Sequence, residues 1–90
     1  VIPTPTKIEL PELYYKIQIS SFEQGNLLFP EFEVFGTIEE VNAYNKYIYR
    51  LGNYEDLERA KEILNIVRSQ GYFVAFILQY NKEKISGIIN

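Results

Sequence analysis

Lys16, Gln18, Ser20, Ser21, Lys46, Ile48 and Arg50 are the residues whose types and spacing point to chemistry. They come from two similar segments, Tyr15-Lys16-Ile17-Gln18-Ile19-Ser20-Ser21-Phe22 and Tyr47-Ile48-Tyr49-Arg50-Leu51-Gly52-Asn53-Tyr54. In both, apolar or aromatic side chains take alternate positions (15, 17, 19 and 47, 49, 51), and a period of two puts them on one face of a strand. The other face then carries Lys16, Gln18 and Ser20 from the first segment and Lys46, Ile48 and Arg50 from the second. Gln18 both donates and accepts hydrogen bonds, as do Ser20 and Ser21, and Arg50 can grip a carboxylate through two parallel N–H groups. Lys16 and Lys46 add long-range attraction. This is the chemistry of non-covalent recognition, and a mixed polar surface on paired strands is where such a protein meets a ligand. A plain alternative stands beside it, because Lys and Gln on the solvent face of an antiparallel strand are what any half-buried sheet shows.

Composition narrows the chemistry further. The chain has neither histidine nor cysteine. That removes the commonest general base and metal ligand, any disulfide framework and any thiolate nucleophile. Carboxylates, Lys and Tyr remain for proton chemistry, and neither a nucleophile–base pair nor a metal set assembles from them, so no enzyme, cofactor or metal is expected. The adjacent acids Glu39-Glu40 and Glu55-Asp56-Glu58 read as solvated strand ends and a helix cap rather than as a hydrolytic pair flanking a cleft. A net charge of −3 argues against nucleic acid, whose binding modules present a basic footprint. No apolar run approaches the roughly 20 residues of a membrane-spanning helix. The chain opens on Val rather than Met and reads as a piece of a longer protein.

The elements that must position these residues follow from local pattern. Residues 1–11 hold three of the four prolines and read as a Pro/Thr-rich tether, leaving 12–90 as a single domain. A first strand runs from 12 or 13 to 20, and residues 21–26 turn. Residues 27–35 are dense in apolar groups but contain Pro30, and read as a short helical or irregular plug over the core. A second strand is predicted over 36–41, a turn over 42–45 and a third strand over 47–51. Asp56 is the expected N-cap of a helix from 57 to about 70. On it Leu57, Ala60, Ile63, Leu64 and Val67 form an apolar stripe, while Glu58, Lys61, Glu62 and Arg68 face water. Gly71 suits the left-handed position after the helix. The apolar run 72–80 suits a covered fourth strand, after which 84–89 adds an edge strand or trails off. The tyrosines at 15, 47, 49 and 54 share parity with the core, whereas Tyr44 in its polar turn is the better candidate for stacking on a ligand. The expected architecture is α+β, of ferredoxin-like connectivity: a mainly antiparallel four-stranded sheet with helical cover on one face.

The stretches Tyr15 to Phe22, Tyr47 to Ala60 and Gly71-Tyr72-Phe73-Val74-Ala75-Phe76-Ile77 resemble a SPOR domain, the sporulation-related repeat module, and are most similar to the divergent form with a shortened first helix in Bacteroidetes envelope proteins. Members carry two half-repeats, each opening on an aromatic-led strand, with a helix bearing an early Ala and a closing Gly-Tyr in the second. The resemblance implies a non-catalytic peptidoglycan-binding module of a cell-envelope or cell-division protein in the periplasm, holding denuded glycan strands on the open sheet face. It places Gln18 and Ser21 at the family's Gln and Ser positions, with Arg50 as a further contact and Lys16, Lys46 and Ile48 framing the groove. Ser20 replaces the usual Gly, and Ile48 stands where an outward aromatic or Arg is usual. The alternative is a protein-interaction or architectural domain whose glycan site has decayed.

Overall fold

A computed structural model describes residues 11–89; apart from Pro11, the expected tether lies outside the described residues. In chain order the elements are β1 (Leu13–Phe22), α1 (Pro30–Glu33), β2 (Thr37–Ala43), β3 (Lys46–Tyr54), α2 (Leu57–Ser69), β4 (Phe76–Asn81) and β5 (Lys84–Ile89). The strands form one antiparallel sheet in the order β2-β3-β1-β4-β5. The architecture is therefore α+β, but the sheet has five strands where four were expected.

β5 arises from a hairpin at Lys82-Glu83, both at positive φ (51° and 67°). That is the two-residue turn whose twist matches paired strands, normally signalled by Asn-Gly or Asp-Gly. Neither residue advertises it. The Tyr44-Asn45 turn between β2 and β3 has the same form, with φ of 54° and 60°, and it is tighter than the four-residue turn expected over 42–45. β2 accordingly runs on to Ala43, and β3 continues past Leu51 to Tyr54.

One face of the sheet carries the core. Ile17, Ile19, Leu51 and Ile77 are fully buried there against Ala60, Ile63, Leu64 and Val67 of α2, the stripe expected for that helix. Asp56 Oδ1 accepts the Glu58 N–H at 3.0 Å and so caps α2, as the sequence predicts. Gly71 takes φ 106° just beyond the helix. The plug over 27–35 contains the four-residue α1, opened by Pro30. Phe29 and Phe32 pack under it at 5.1 Å from the Tyr49 ring and 5.6 Å from the Tyr72 ring, respectively.

The predicted fourth strand is shortened at its start. Residues 72–75 form a turn, with the Ala75 N–H bonded to the Tyr72 carbonyl at 3.1 Å. Tyr72 is drawn sideways onto Phe29 and Phe32. Arg68 is half-buried rather than fully turned to water. Its Nε and Nη2 both donate to the Ala75 carbonyl, at 3.1 and 2.8 Å, and pin this turn to the end of α2.

Candidate functional site

The helix-free face is built from strand register. Directly opposed residues on antiparallel strands share a face. One rung therefore runs Glu39, Arg50, Gln18, Phe76; the next runs Thr37, Gly52, Lys16, Leu78, Ile88; a third joins Tyr14, Tyr80 and Ile85. Polar groups lie on the β2–β3–β1 half and apolar groups on the β4–β5 half.

Gln18 and Arg50 are thus neighbours, as expected, and Arg50 Nε donates to Gln18 Oε1 at 3.2 Å. Arg50 Nη1 donates to the Tyr80 hydroxyl at 3.2 Å. Glu39 lies in register beside Arg50, yet its Oε1 accepts from Lys16 Nζ at 2.7 Å. Among the described residues Arg50 has no carboxylate partner, and its remaining N–H groups stay available.

Lys16 reaches Glu39 by crossing β3 over Gly52. A Cβ on Gly52 would lie 2.8 Å from Lys16 Cγ and 3.2 Å from the Tyr15 carbonyl oxygen, so the missing side chain is what lets the lysine lie flat. Lys16 Nζ also sits 5.2 Å from the centroid of the Tyr80 ring, within cation–π range. That ring stacks on Tyr14 at 5.0 Å, with the planes 15° apart.

Tyr14 and Tyr80 are 2% and 6% exposed and form a small second core with Leu78. The inward parity of the other tyrosines hid this pair from the sequence; its signal was Tyr14 sharing parity with Lys16 and Gln18. Burial raises the Tyr14 phenol above its ordinary range, and Glu83 and then Tyr80 and Glu39 add to the effect. With both rings buried, the stack holds the Tyr80 hydroxyl beside Arg50 rather than presenting an aromatic platform.

The other expected site residues are placed less uniformly. A bulge between Gln18 and Ser20 puts Ser20 opposite Tyr49, whose ring belongs to the core side, so Ser20 leaves the ladder of Gln18. The same bulge restores Ser21 to that ladder, opposite Ile48. Phe22 turns inward to meet the Tyr49 ring at 5.7 Å. Alternation alone had assigned Ser20 outward, and the inserted residue is why it fails. Ile48 is buried, between Ser21 and Val41 in register. Lys46 pairs with Glu23 at 3.2 Å and stands four residues, about 13 Å along the strand, from Arg50. The face is therefore less basic than its lysines suggest, since each is matched by a glutamate and Arg50 holds the unmatched charge. Tyr44, at the hairpin tip, is 94% exposed.

The acidic pairs serve structure. Glu40 Oε2 accepts from the Tyr49 hydroxyl at 2.8 Å and from the Asn26 N–H at 2.8 Å, while the Tyr49 oxygen accepts the Leu27 N–H at 3.1 Å. These bonds staple residues 26–27 across β2 and β3, beside a cleft of about 290 Å³ lined by Leu27, Phe29, Ile38, Glu40 and Tyr49. Burial pushes the Tyr49 phenol up, the Leu27 N–H opposes this, and Glu40 reinforces it. Among the described residues no helix is long and apolar enough to cross a membrane.

No protein-family model matches this chain, and no curated protein or solved structure matches it either.

Proposed function

We propose that the helix-free face is a non-catalytic binding surface for the glycan strands of peptidoglycan, in a SPOR-like module of a bacterial envelope or cell-division protein working in the periplasm. Setting β5 aside, the order β2-β3-β1-β4, with helical segments after β1 and β3, supports ferredoxin-like connectivity. One observation carries the functional proposal: Arg50 is held by two neutral partners, Gln18 and Tyr80, on a face whose other cations are already paired. A fixed guanidinium with spare donors suits a single carboxylate, and muramic acid bears a lactyl carboxylate once its stem peptide is removed. Gln18 and Ser21 then supply neutral groups for hydroxyl and acetamido oxygens. Neither His nor Cys is present to turn binding into catalysis.

Purified sacculi provide the test, used before and after amidase removal of the stem peptides. The chain is expected to bind amidase-treated sacculi better, and the Gln18→Ala/Arg50→Ala double variant is expected to lose that gain while keeping its circular dichroism spectrum. Salt should weaken binding only modestly, because one unpaired cation contributes rather than three. The apolar half of the face, with Leu78, Ile85 and Ile88, favours a second possibility, docking of a protein partner. Equal retention of the wild type and the double variant on sacculi would reject the glycan site and favour that partner.

A further inference from the structure

The ladders of the helix-free face carry the cations Lys16, Lys46 and Arg50 and one acid, Glu39. Among the described residues no other carboxylate shares those ladders. Register puts Glu39 directly beside Arg50 across β2 and β3. Opposite charges in that relation attract and ordinarily pair. Here they do not, because Lys16 reaches over from β1 and donates to Glu39 Oε1 at 2.7 Å.

Stability is a weak reason for this crossing. A partly exposed ion pair contributes little to folding, and the route needs a glycine inside β3, which weakens a strand. A Cβ on Gly52 would stand 2.8 Å from Lys16 Cγ. The lysine is laid flat, with 15% of its side chain exposed, between the Glu39 carboxylate and the Tyr80 ring. What the crossing changes is the charge that the face presents. It withdraws one cation, and it occupies the one acid placed to neutralise Arg50.

We propose that the Lys16–Glu39 pair is the specificity device of this face: Lys16 holds Glu39 away from Arg50 so that one guanidinium stays free, and Glu39 withholds Lys16 so that only one cation does. Lys16 is opposite Gly52, two residues from Arg50. Diagonal neighbours of that kind lie about 7–8 Å apart. An uncompensated Lys16 beside Arg50 therefore makes a two-point site for closely spaced phosphates or sulfates. With Lys16 held by Glu39, the face suits a polymer whose acidic groups are sparse and separated by neutral units, and a second anion beside the one on Arg50 meets the Glu39 carboxylate. Lys16 is a positioning residue here, and Glu39 sets the specificity. Acceptance of a sparsely charged glycan rests on the binding proposal above, whereas rejection of dense polyanions does not.

An oligo(dT) of about 20 nucleotides, titrated by fluorescence anisotropy at several salt concentrations, measures the rejection, since each phosphate contact on a single strand adds about 0.7 to the slope of log K against log salt. The wild type is expected to bind weakly, with a slope no greater than about 0.7. Glu39→Gln should bind about tenfold tighter at about 50 mM salt, with a slope of about 1.4. The double variant Lys16→Gln/Glu39→Gln should return both to wild-type values. Glu62→Gln is the control: it removes the same charge and releases Arg59, its partner at 3.1 Å on α2, and should change neither.

Sacculi measure the positioning. Lys16→Gln alone should lose most of the gain on amidase-treated sacculi, because Glu39 then turns to Arg50, and adding Glu39→Gln should restore it. A lysine that merely stabilised the sheet would give no such rescue. A wild type without amidase-dependent binding would reject the glycan proposal, while the oligo(dT) titrations still decide the role of the ion pair. An unchanged slope in Glu39→Gln, an equal rise in Glu62→Gln, or no rescue on sacculi that the wild type binds overturns the specificity device.

Discussion

Replacing Arg68 by Ala removes the clamp that joins the end of α2 to the turn before β4. Two N–H groups of a charged side chain end on one carbonyl, at 3.1 and 2.8 Å, and that carbonyl belongs to Ala75, itself buried. A hydrogen bond from a charged donor is worth about 1.5–3 kcal/mol. A cation in the last turn of a helix adds about 0.3–1 kcal/mol through the helix dipole. The expected loss is therefore about 2–4 kcal/mol, a large share of the roughly 5–15 kcal/mol that hold a domain together. Urea unfolding followed by circular dichroism measures it, with an unchanged m-value showing that native stability has changed. Arg68→Lys keeps the charge at the helix end but not the fork, and should cost about 1–2 kcal/mol. In hydrogen exchange, the Ala75 amide, bonded to the Tyr72 carbonyl, should lose protection before the centre of β1 does. A loss below about 0.5 kcal/mol for Arg68→Ala, the ordinary cost at a solvated helix position, would refute the clamp.

Gly52→Ala should destabilise by about 1–2 kcal/mol. The gain from restricting the unfolded chain is outweighed by a Cβ driven against Lys16 Cγ and the Tyr15 carbonyl; a stabilised variant in thermal melts would show that β1 and Lys16 shift freely. Tyr54 provides a pH test. Its hydroxyl donates to the Phe35 carbonyl at 2.7 Å, and burial pushes its pKa up to about 12, opposed by Arg59. The folded value exceeds the unfolded one near 10, so this contribution is complete below about pH 10 and disappears as pH rises toward about 12. Allowing for solvent at the ring edge, about 1–2 kcal/mol is at stake. Stability measured from pH 8 to 11.5 should fall more steeply for the wild type than for Tyr54→Phe, and parallel curves would show that this phenol does not govern alkaline unfolding.

The limits of sequence pattern show at particular residues. α2 was legible because its signals are local: Asp56 at the cap, apolar residues every third or fourth position, and Gly71 at the end. The alternation of Tyr15, Ile17 and Ile19 was equally legible, and with it the cross-strand meeting of Gln18 and Arg50. Ser20 was misplaced because one bulge shifts every later residue of β1 by half a period. Arg68 was assigned to water because its helix position is polar, and nothing in the neighbouring sequence shows that a carbonyl seven residues ahead turns back toward it. β5 stayed undecided because Lys82-Glu83 lacks the glycine or asparagine that usually marks a two-residue turn.

By itself, then, the sequence determined α2 and the central parts of β1 to β4, the side to which most of their oily residues turn, and that histidine and cysteine chemistry is unavailable. All of these depend on residue type and on spacing within a few positions. Only the tertiary structure decided that Glu39 neutralises Lys16, that Arg50 is left with neutral partners, and that Tyr14 and Tyr80 stack on the helix-free side. Each of those depends on the register between strands far apart in the chain. That register is set by bulges and by the space above Gly52, and neither leaves a periodic trace in the order of the residues.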